Sequence, residues 1–222
     1  SDPWWIPAPL AGPPRTKRAA LTVAPEGLKV APAVETALRD AADRLRAAGY
    51  EVVETPCPPL RKAVAVQVML WLAEFRRGAG AAVAKEADPD ALFVYAQMEN
   101  LCPQPTLEAF MDALQTRAAL CREWQVFLDD YAVWLCPVSA ELPFPDQLDV
   151  QSPEAFARVW EAQLTQIGVP VMGLPALTVT TGRVGKSPVG VQLVAQRYRE
   201  DLLLDAGAVL DPGSALALPC DP

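Results

Sequence analysis

Arg18–Glu54, RAALTVAPEGLKVAPAVETALRDAADRLRAAGYEVVE, is the stretch on which the fold class turns. RAALTVA is an apolar run of strand length, and the turn-forming Pro25-Glu26-Gly27 follows it. A helix then begins with Pro32 in its first turn, where a missing N–H costs no intrahelical bond. Val34, Leu38, Ala41, Leu45 and Ala48 recur at three-to-four spacing and so share one face, and Gly49 is the stop. Glu35 to Arg39 and Asp40 to Arg44 are i,i+4 pairs on the wet face, each worth about 0.2–0.5 kcal/mol. Tyr50 to Glu54 alternates as a second strand. Strand, helix and strand joined by short connections form a βαβ unit, which predicts an α/β chain whose parallel or mixed central sheet is flanked by helices.

Working outward, residues 1–17 are proline-rich and read as an extended connector along the surface, with Trp4 and Trp5 placed to pin it. Its opening, SDPWWIPAPLAGPP, has no initiating Met and no leader pattern, and it reads as the continuation of an upstream segment. Downstream, Arg61–Arg77 and Thr106–Asp130 read as helices on either side of a Gly/Ala and Asp/Pro-rich interruption. In the second helix Leu107, Phe110, Met111, Leu114, Cys121, Trp124 and Leu128 are expected on one broad buried face, with Thr106 as the N-cap. Tyr131–Cys136 (YAVWLC) reads as a buried strand ended by Pro137, and a Pro-rich loop follows. Ser152-Pro153-Glu154 starts a helix that carries Phe156, Val159, Trp160, Leu164 and Ile167 inward until Gly168 stops it. Ala176–Thr180 and Pro188–Ala195 alternate as strands around a turn at Gly182–Ser187. Glu200 and Asp201 open a last helix, their charges favourable at its positive end. Residues 18–210 are thus expected to form the domain, and 211–222 a tail.

Composition narrows the chemistry. A chain of 222 residues that is 51% hydrophobic can bury a core. Its net charge of −8 offers no basic stripe, which argues against nucleic acid as a partner and against anionic lipid. The longest apolar run, Ala63–Phe75, falls short of the roughly 20 residues a bilayer requires, and Gln67 and Glu74 interrupt it. No membrane span is expected. The cysteines are odd in number and none stands at C-x-x-C spacing, so they read as free thiols of a reducing cytoplasm. Histidine is absent, which removes Ser-His-Asp and Cys-His pairs from this chain and takes the commonest ligand from zinc and non-haem iron sites. Neither a metal nor a cofactor is expected.

Two groups of residues are candidates for a binding site. Gln67, Trp71 and Glu74 lie four and three apart and share one face of an otherwise apolar helix. That face either looks into a substrate cavity with Trp71 as its apolar wall, or meets solvent. Val138, Leu142 and Phe144 follow the buried strand, where loops of open α/β sheets commonly line ligand crevices; the other reading is ordinary packing. TTGRVGKS, at 180–187, imitates the end of a phosphate-binding loop, but its first glycine is missing and Pro188 with a strand stands where a helix should begin. Lys186 and Ser187 are adjacent, so their side chains diverge and make a poor dyad. Cys121 and Cys136 are expected to be buried thiols of raised pKa, unsuited to attack.

Gly168–Leu210, GVPVMGLPALTVTTGRVGKSPVGVQLVAQRYREDLLLDAGAVL, resembles the carboxy-terminal segment of amidase-signature enzymes. The matching positions are Gly173, Leu174, Pro175, Ala176, Gly182, Pro188, Gly190, Gln192, Leu193, Glu200 and Asp201. The DPWW-type opening, the block from Ala20 to Glu54 and LCPVSAELPFP agree with the same family, so the resemblance runs from Asp2 to about Leu210. It implies an α/β/α fold with a mixed central sheet, here its carboxy-terminal half, and hydrolysis of a small carboxamide through an acyl-enzyme. In that family a Ser nucleophile, a second Ser in a cis peptide bond and a Lys lie in an upstream strand and a Gly/Ser-rich segment. No position of this chain matches those motifs, and Lys17, Lys29, Lys62, Lys85 and Lys186 sit in other contexts. No catalytic residue is therefore expected here. The chain reads as the carboxy-terminal part of an amidase, partnered by an amino-terminal half and inactive without it, with a homodimer also open. The alternative is a non-catalytic binding or scaffold module that keeps the half-fold. A half standing alone should expose the sheet edge and apolar face that the other half covers.

Overall fold

The computed structural model describes residues 10–211, so Trp4, Trp5 and all but the first residue of the tail lie outside it. β1 (Arg18–Leu21) and β2 (Glu51–Glu54) pair in parallel, Arg18 opposite Glu51, with α1 (Pro32–Ala47) as the crossover. The βαβ reading thus holds, and β3 (Val133–Pro137) joins the other side of β1, again in parallel. β4 (Ala176–Val184) and β5 (Ser187–Val194) form an antiparallel hairpin whose second strand pairs with β3, giving a mixed five-stranded sheet in the order β2-β1-β3-β5-β4. The strands of the hairpin run further toward its tip than the alternation suggested, and the turn contracts to Gly185 and Lys186. Pro188 and the strand leave no helix for TTGRVGKS to start.

Helices cover both faces. Val133, Leu135, Val191 and Leu193 point to one side, under α1 and α8 (Glu200–Leu210), while Trp134, Cys136 and Val194 point to the other, under α2 (Arg61–Arg77), α5 (Leu107–Asp129) and α7 (Leu164–Val171). The period-two alternation of β3 therefore serves two cores at once, which is why YAVWLC carries no polar residue. Trp134 is fully buried, edge-on to Trp124 at 4.8 Å, and its Nε1 donates to Thr22 Oγ1 at 2.9 Å.

Three expectations are corrected. The Gly/Ala and Asp/Pro-rich interruption is itself helical, forming α3 (Ala79–Glu86) and α4 (Pro89–Leu101). Asp88 accepts a hydrogen bond from the Ala91 N–H at 2.8 Å and Pro89 occupies the first turn, so the apparent breakers are α4's start signal. In α5 the large side chains that are buried, Leu120, Trp124 and Leu128, all lie in its second half, whereas Leu107 is 78% and Met111 51% exposed. A helix of 23 residues is about 35 Å long and overshoots the sheet it rests on. Finally, Gly168 does not stop a helix. The segment breaks at Gln163 into α6 (Pro153–Ala162) and α7, and Gly168 sits inside α7, where a Cβ would come 2.6 Å from Leu60 Cδ1. It is a close-packing glycine.

Two long-range carboxylates fasten the ends. Glu26, in the left-handed region at φ 46°, accepts from the Leu60 N–H at 2.6 Å and from the Arg61 N–H, capping α2, which has no capping side chain of its own. Asp201 accepts from Arg199 Nε at 2.9 Å and from the Gly12 N–H at 2.9 Å, while Arg199 Nη2 donates to the Pro13 carbonyl, so residues 12 and 13 are tied to the start of α8. Arg199 first, then the Gly12 and Leu202 N–H groups, hold the Asp201 carboxyl down at about 2 from its ordinary 3.8. A depressed carboxylate stabilises the fold above its unfolded pKa and loses that contribution as pH falls through the folded one. Asp201→Asn is accordingly expected to cost about 2 kcal/mol at pH 7 and to flatten the loss of stability between pH 4 and pH 2, read from urea midpoints across that range. An unchanged pH profile would show that the clamp contributes nothing.

Among the described residues no helix is long and apolar enough to cross a membrane.

Candidate functional site

β3 ends at Pro137, and the loop after it is held from three sides. The Thr165 hydroxyl, fully buried, lies 2.8 Å from the Pro137 carbonyl and 2.9 Å from that of Val138. Ala140 accepts from the Ala31 N–H at the start of α1 and donates to the Ala162 carbonyl at the end of α6, both at 2.8 Å. This pinned loop walls a cleft of about 340 Å³ in which Val138, Leu142 and Phe144 face Thr178, Thr180 and Gly190 of the hairpin and Gln163 and Gln166 of the α6–α7 junction. The volume is at the lower end of small-molecule sites. Glu141 also borders it, but Arg158 engages the carboxylate with both Nε (3.0 Å) and Nη2 (2.6 Å) and holds its pKa below the ordinary range. The hydroxyls of Thr178 and Thr180 make no hydrogen bond to another described residue.

Gly190 shapes this cleft by its lack of a side chain. A Cβ there would stand 2.4 Å from the Val179 carbonyl oxygen, next to the irregularity that shifts the register between Thr180 and Gly182. Beneath, Cys136 is fully buried and burial pushes its thiol well up; Gln192 Nε2 is 3.6 Å from the sulfur. Cys57 is likewise raised by burial, to about 12. Such thiols are protonated at neutral pH and are poor nucleophiles, as expected for Cys136. Cys121 is half-buried rather than buried, its sulfur 3.1 Å from Arg197 Nη2.

Trp71 and Glu74 lie elsewhere. They line a second cleft, about 820 Å³, between α2, α3 and α4, together with Phe75, Val83, Val94, Tyr95 and Met98, and Val150 of the loop after β3 closes one side. Phe75 and Tyr95 meet at 5.0 Å between ring centroids. Glu74 also borders a broader opening toward the start of α5, where Arg76 donates to Glu99 Oε1 at 3.2 Å and to the Cys102 carbonyl at 2.6 Å. Gln67 borders neither. It is 7% exposed, and its amide makes no hydrogen bond to another described residue.

The structure thus gathers Val138, Leu142 and Phe144 into one cleft, puts Trp71 and Glu74 into another and leaves Gln67 buried and lining neither. The hairpin residues were missed because Thr178, Thr180 and Gly190 meet the loop only through the β3–β5 pairing, which adjacent sequence does not reveal. The α4 residues were missed although Asp88-Pro89 followed by Leu92, Tyr95 and Met98 carried a legible helical signal. Among the described residues no group of His, Cys, Asp and Glu could hold a metal, and no serine hydroxyl bonds a lysine amine. These clefts offer apolar walls and hydroxyls.

The family model described as Amidase matches residues 6–204. The chain is 35% identical over 214 residues to indoleacetamide hydrolase of Bradyrhizobium japonicum, covering 95% of this chain and 46% of that protein. Its fold superposes on a glutamyl-tRNA(Gln) amidotransferase chain from Thermotoga maritima with a TM-score of 0.68 at 19% identity, over 91% of this chain and 43% of that one. Fatty acid amide hydrolase aligns with a TM-score of 0.69 at 16% identity, over 94% and 42%. The chain therefore spans less than half the length of the relatives it matches.

Proposed function

Because this chain belongs to the amidase family, we propose that it is the carboxy-terminal part of an amidase whose nucleophile comes from an amino-terminal part. The observation that carries this reading is the identity to an indoleacetamide hydrolase along 95% of the chain but only 46% of that enzyme. The reaction is hydrolysis of a carboxamide. A seryl oxygen attacks the carbonyl carbon, the C–N bond breaks as the nitrogen takes a proton and leaves as ammonia or an amine, and water then releases the acid from the acyl-enzyme. The family resemblance supplies the Ser-Ser-Lys triad for that step, upstream of these residues.

This chain contributes the walls. Trp71 and the apolar cleft around it suit an aromatic or alkyl acyl group, as the related hydrolase's name suggests for indoleacetamide. Glu74 sits at the border of that cleft, and Val138, Leu142 and Phe144 supply apolar contacts at the end of β3. Gln67 makes no hydrogen bond to another described residue, and replacing such an amide by an apolar group of similar shape is neutral or stabilising by up to about 1 kcal/mol. Gln67 borders neither cleft, so Gln67→Met is expected to keep both the fold's stability and the kcat/KM of the assembled enzyme, and a large loss of kcat/KM without a change in stability would place the amide against substrate.

The decisive experiment produces the 222-residue chain with and without the polypeptide encoded upstream of Ser1 and measures ammonia release from indole-3-acetamide and from aliphatic, aryl and amino-acid amides. Turnover by the pair and none by this chain alone is the expected result. Turnover by this chain alone, with an acyl adduct on one of its own residues, would displace the triad from where we put it.

A further inference from the structure

The half of α5 that overhangs the sheet carries more apolar side chain than an exposed helix surface needs. Leu107, Met111, Leu114 and Ala118 follow one another at alternating spacings of four and three, so they form one stripe along about three turns. All four are exposed, Leu114 by 40%. The face that α5 buries, at Ala113, Leu120, Trp124 and Leu128, lies roughly 120° away around the helix. Arg117 stands on the border of that buried face and donates to the Val171 carbonyl at 2.7 Å. The stripe therefore belongs to neither of the cores described above. Its alternating spacing is that of a coiled-coil seam, in which a second helix lays its own stripe.

The flank of the stripe that faces away from the core is polar and separated by sign. Glu108, Gln115 and Arg122 recur every seven residues along it. Neither Glu108 nor Arg122 makes a hydrogen bond or ion pair with another described residue. Gln115 is midway between them, so a two-fold axis there that sets two copies of α5 antiparallel brings Glu108 of each copy beside Arg122 of the other. In that register Leu114 packs against Ala118 and Met111 against Cys121 across the axis. A contact between identical faces has to be complementary to itself, and this stripe is so in both apolar spacing and charge. We infer that the overhanging half of α5, from Leu107 to Arg122, is the surface on which two copies of this chain pair, antiparallel about Gln115. The first turn of α5 also borders the opening lined by Arg76, so pairing sets the second copy's helix beside the mouth of that opening. One helix pair stands at the low end of interface sizes, and the expected dissociation constant is about 1–10 µM.

The test follows the mass of the assembled enzyme, this chain together with the polypeptide encoded upstream, by sedimentation equilibrium at concentrations bracketing that constant. A reversible dimer is expected. Leu114→Glu puts a charge into the stripe and should weaken association by at least about a hundredfold while the melting midpoint stays where it was, because the side chain is exposed. Glu108→Arg and Arg122→Glu should each weaken association by about tenfold, and the two together should restore it to within about threefold. An enzyme that stays monomeric overturns the inference, as does a dimer indifferent to Leu114→Glu or one that the double reversal fails to restore. Ammonia release from the same samples reports the amidase reading separately, since Glu108, Leu114 and Arg122 line neither cleft nor the opening beside them.

Discussion

Trp134→Ala is expected to lower the unfolding free energy by about 4 kcal/mol, the range for emptying a large aromatic site in a core that cannot collapse around it. Trp134 has no exposed surface, lies edge-on to Trp124 at 4.8 Å and donates to the Thr22 hydroxyl, which in turn donates to the Thr55 carbonyl at 2.7 Å. The substitution therefore opens a void between β3 and α5 and strips a buried hydroxyl of its donor. Domains of this size are stable by only about 5–15 kcal/mol, so the loss is a large part of the whole. Trp134→Phe keeps most of the ring and gives up the N–H, and should cost about 1–2 kcal/mol. Both are read from urea midpoints at constant m-value. A cost below about 1 kcal/mol for the alanine variant would mean that α2 and α5 repack freely against the sheet.

Gly190→Ala is expected to cost about 3 kcal/mol, at the upper end of overpacking penalties, because the added methyl meets backbone. The Val179 carbonyl oxygen would be 2.4 Å away and the Thr180 Cα 3.1 Å, and neither can retreat without parting β4 from β5. Gly207→Ala is the paired control. There the nearest atom is Leu177 Cδ2 at 2.5 Å, the free end of a side chain that can rotate, and an alanine inside α8 gains about 1 kcal/mol of helix propensity. Thermal midpoints should separate the two by several degrees, about 2–4 °C per kcal/mol for a chain of this length. Equal midpoints would show that the hairpin's close approach is soft.

Local periodicity made α1, β2 and the starts of α6 and α8 legible, because each is an amphipathic or alternating segment opened by its own start residues. It failed where a residue's role is set by something distant. Gly168 looks like a terminator, yet Leu60 lies against it and makes it a packing residue inside α7. Leu107, Met111 and Leu114 look like core, but α5 extends past the sheet and leaves them exposed. The candidate site divides in the same way. Val138, Leu142 and Phe144 follow a strand end, a position that sequence can recognise. Their counterparts on β4 and β5 come from some 40 residues further along and are brought in by strand pairing.

By itself, the sequence determined the α/β class, the mixed sheet and the family, since hydrophobic period, turn residues and the Gly-Leu-Pro-Ala and Pro-x-Gly-x-Gln-Leu runs are local properties of the chain. Only the tertiary structure decided that the two candidate groups occupy separate clefts, that Gln67 is buried with no hydrogen bond to another described residue and that the first half of α5 overhangs the sheet. Those are facts about which elements become neighbours, and neighbourhood is fixed by burying two faces of one sheet at once, a constraint that no single segment carries.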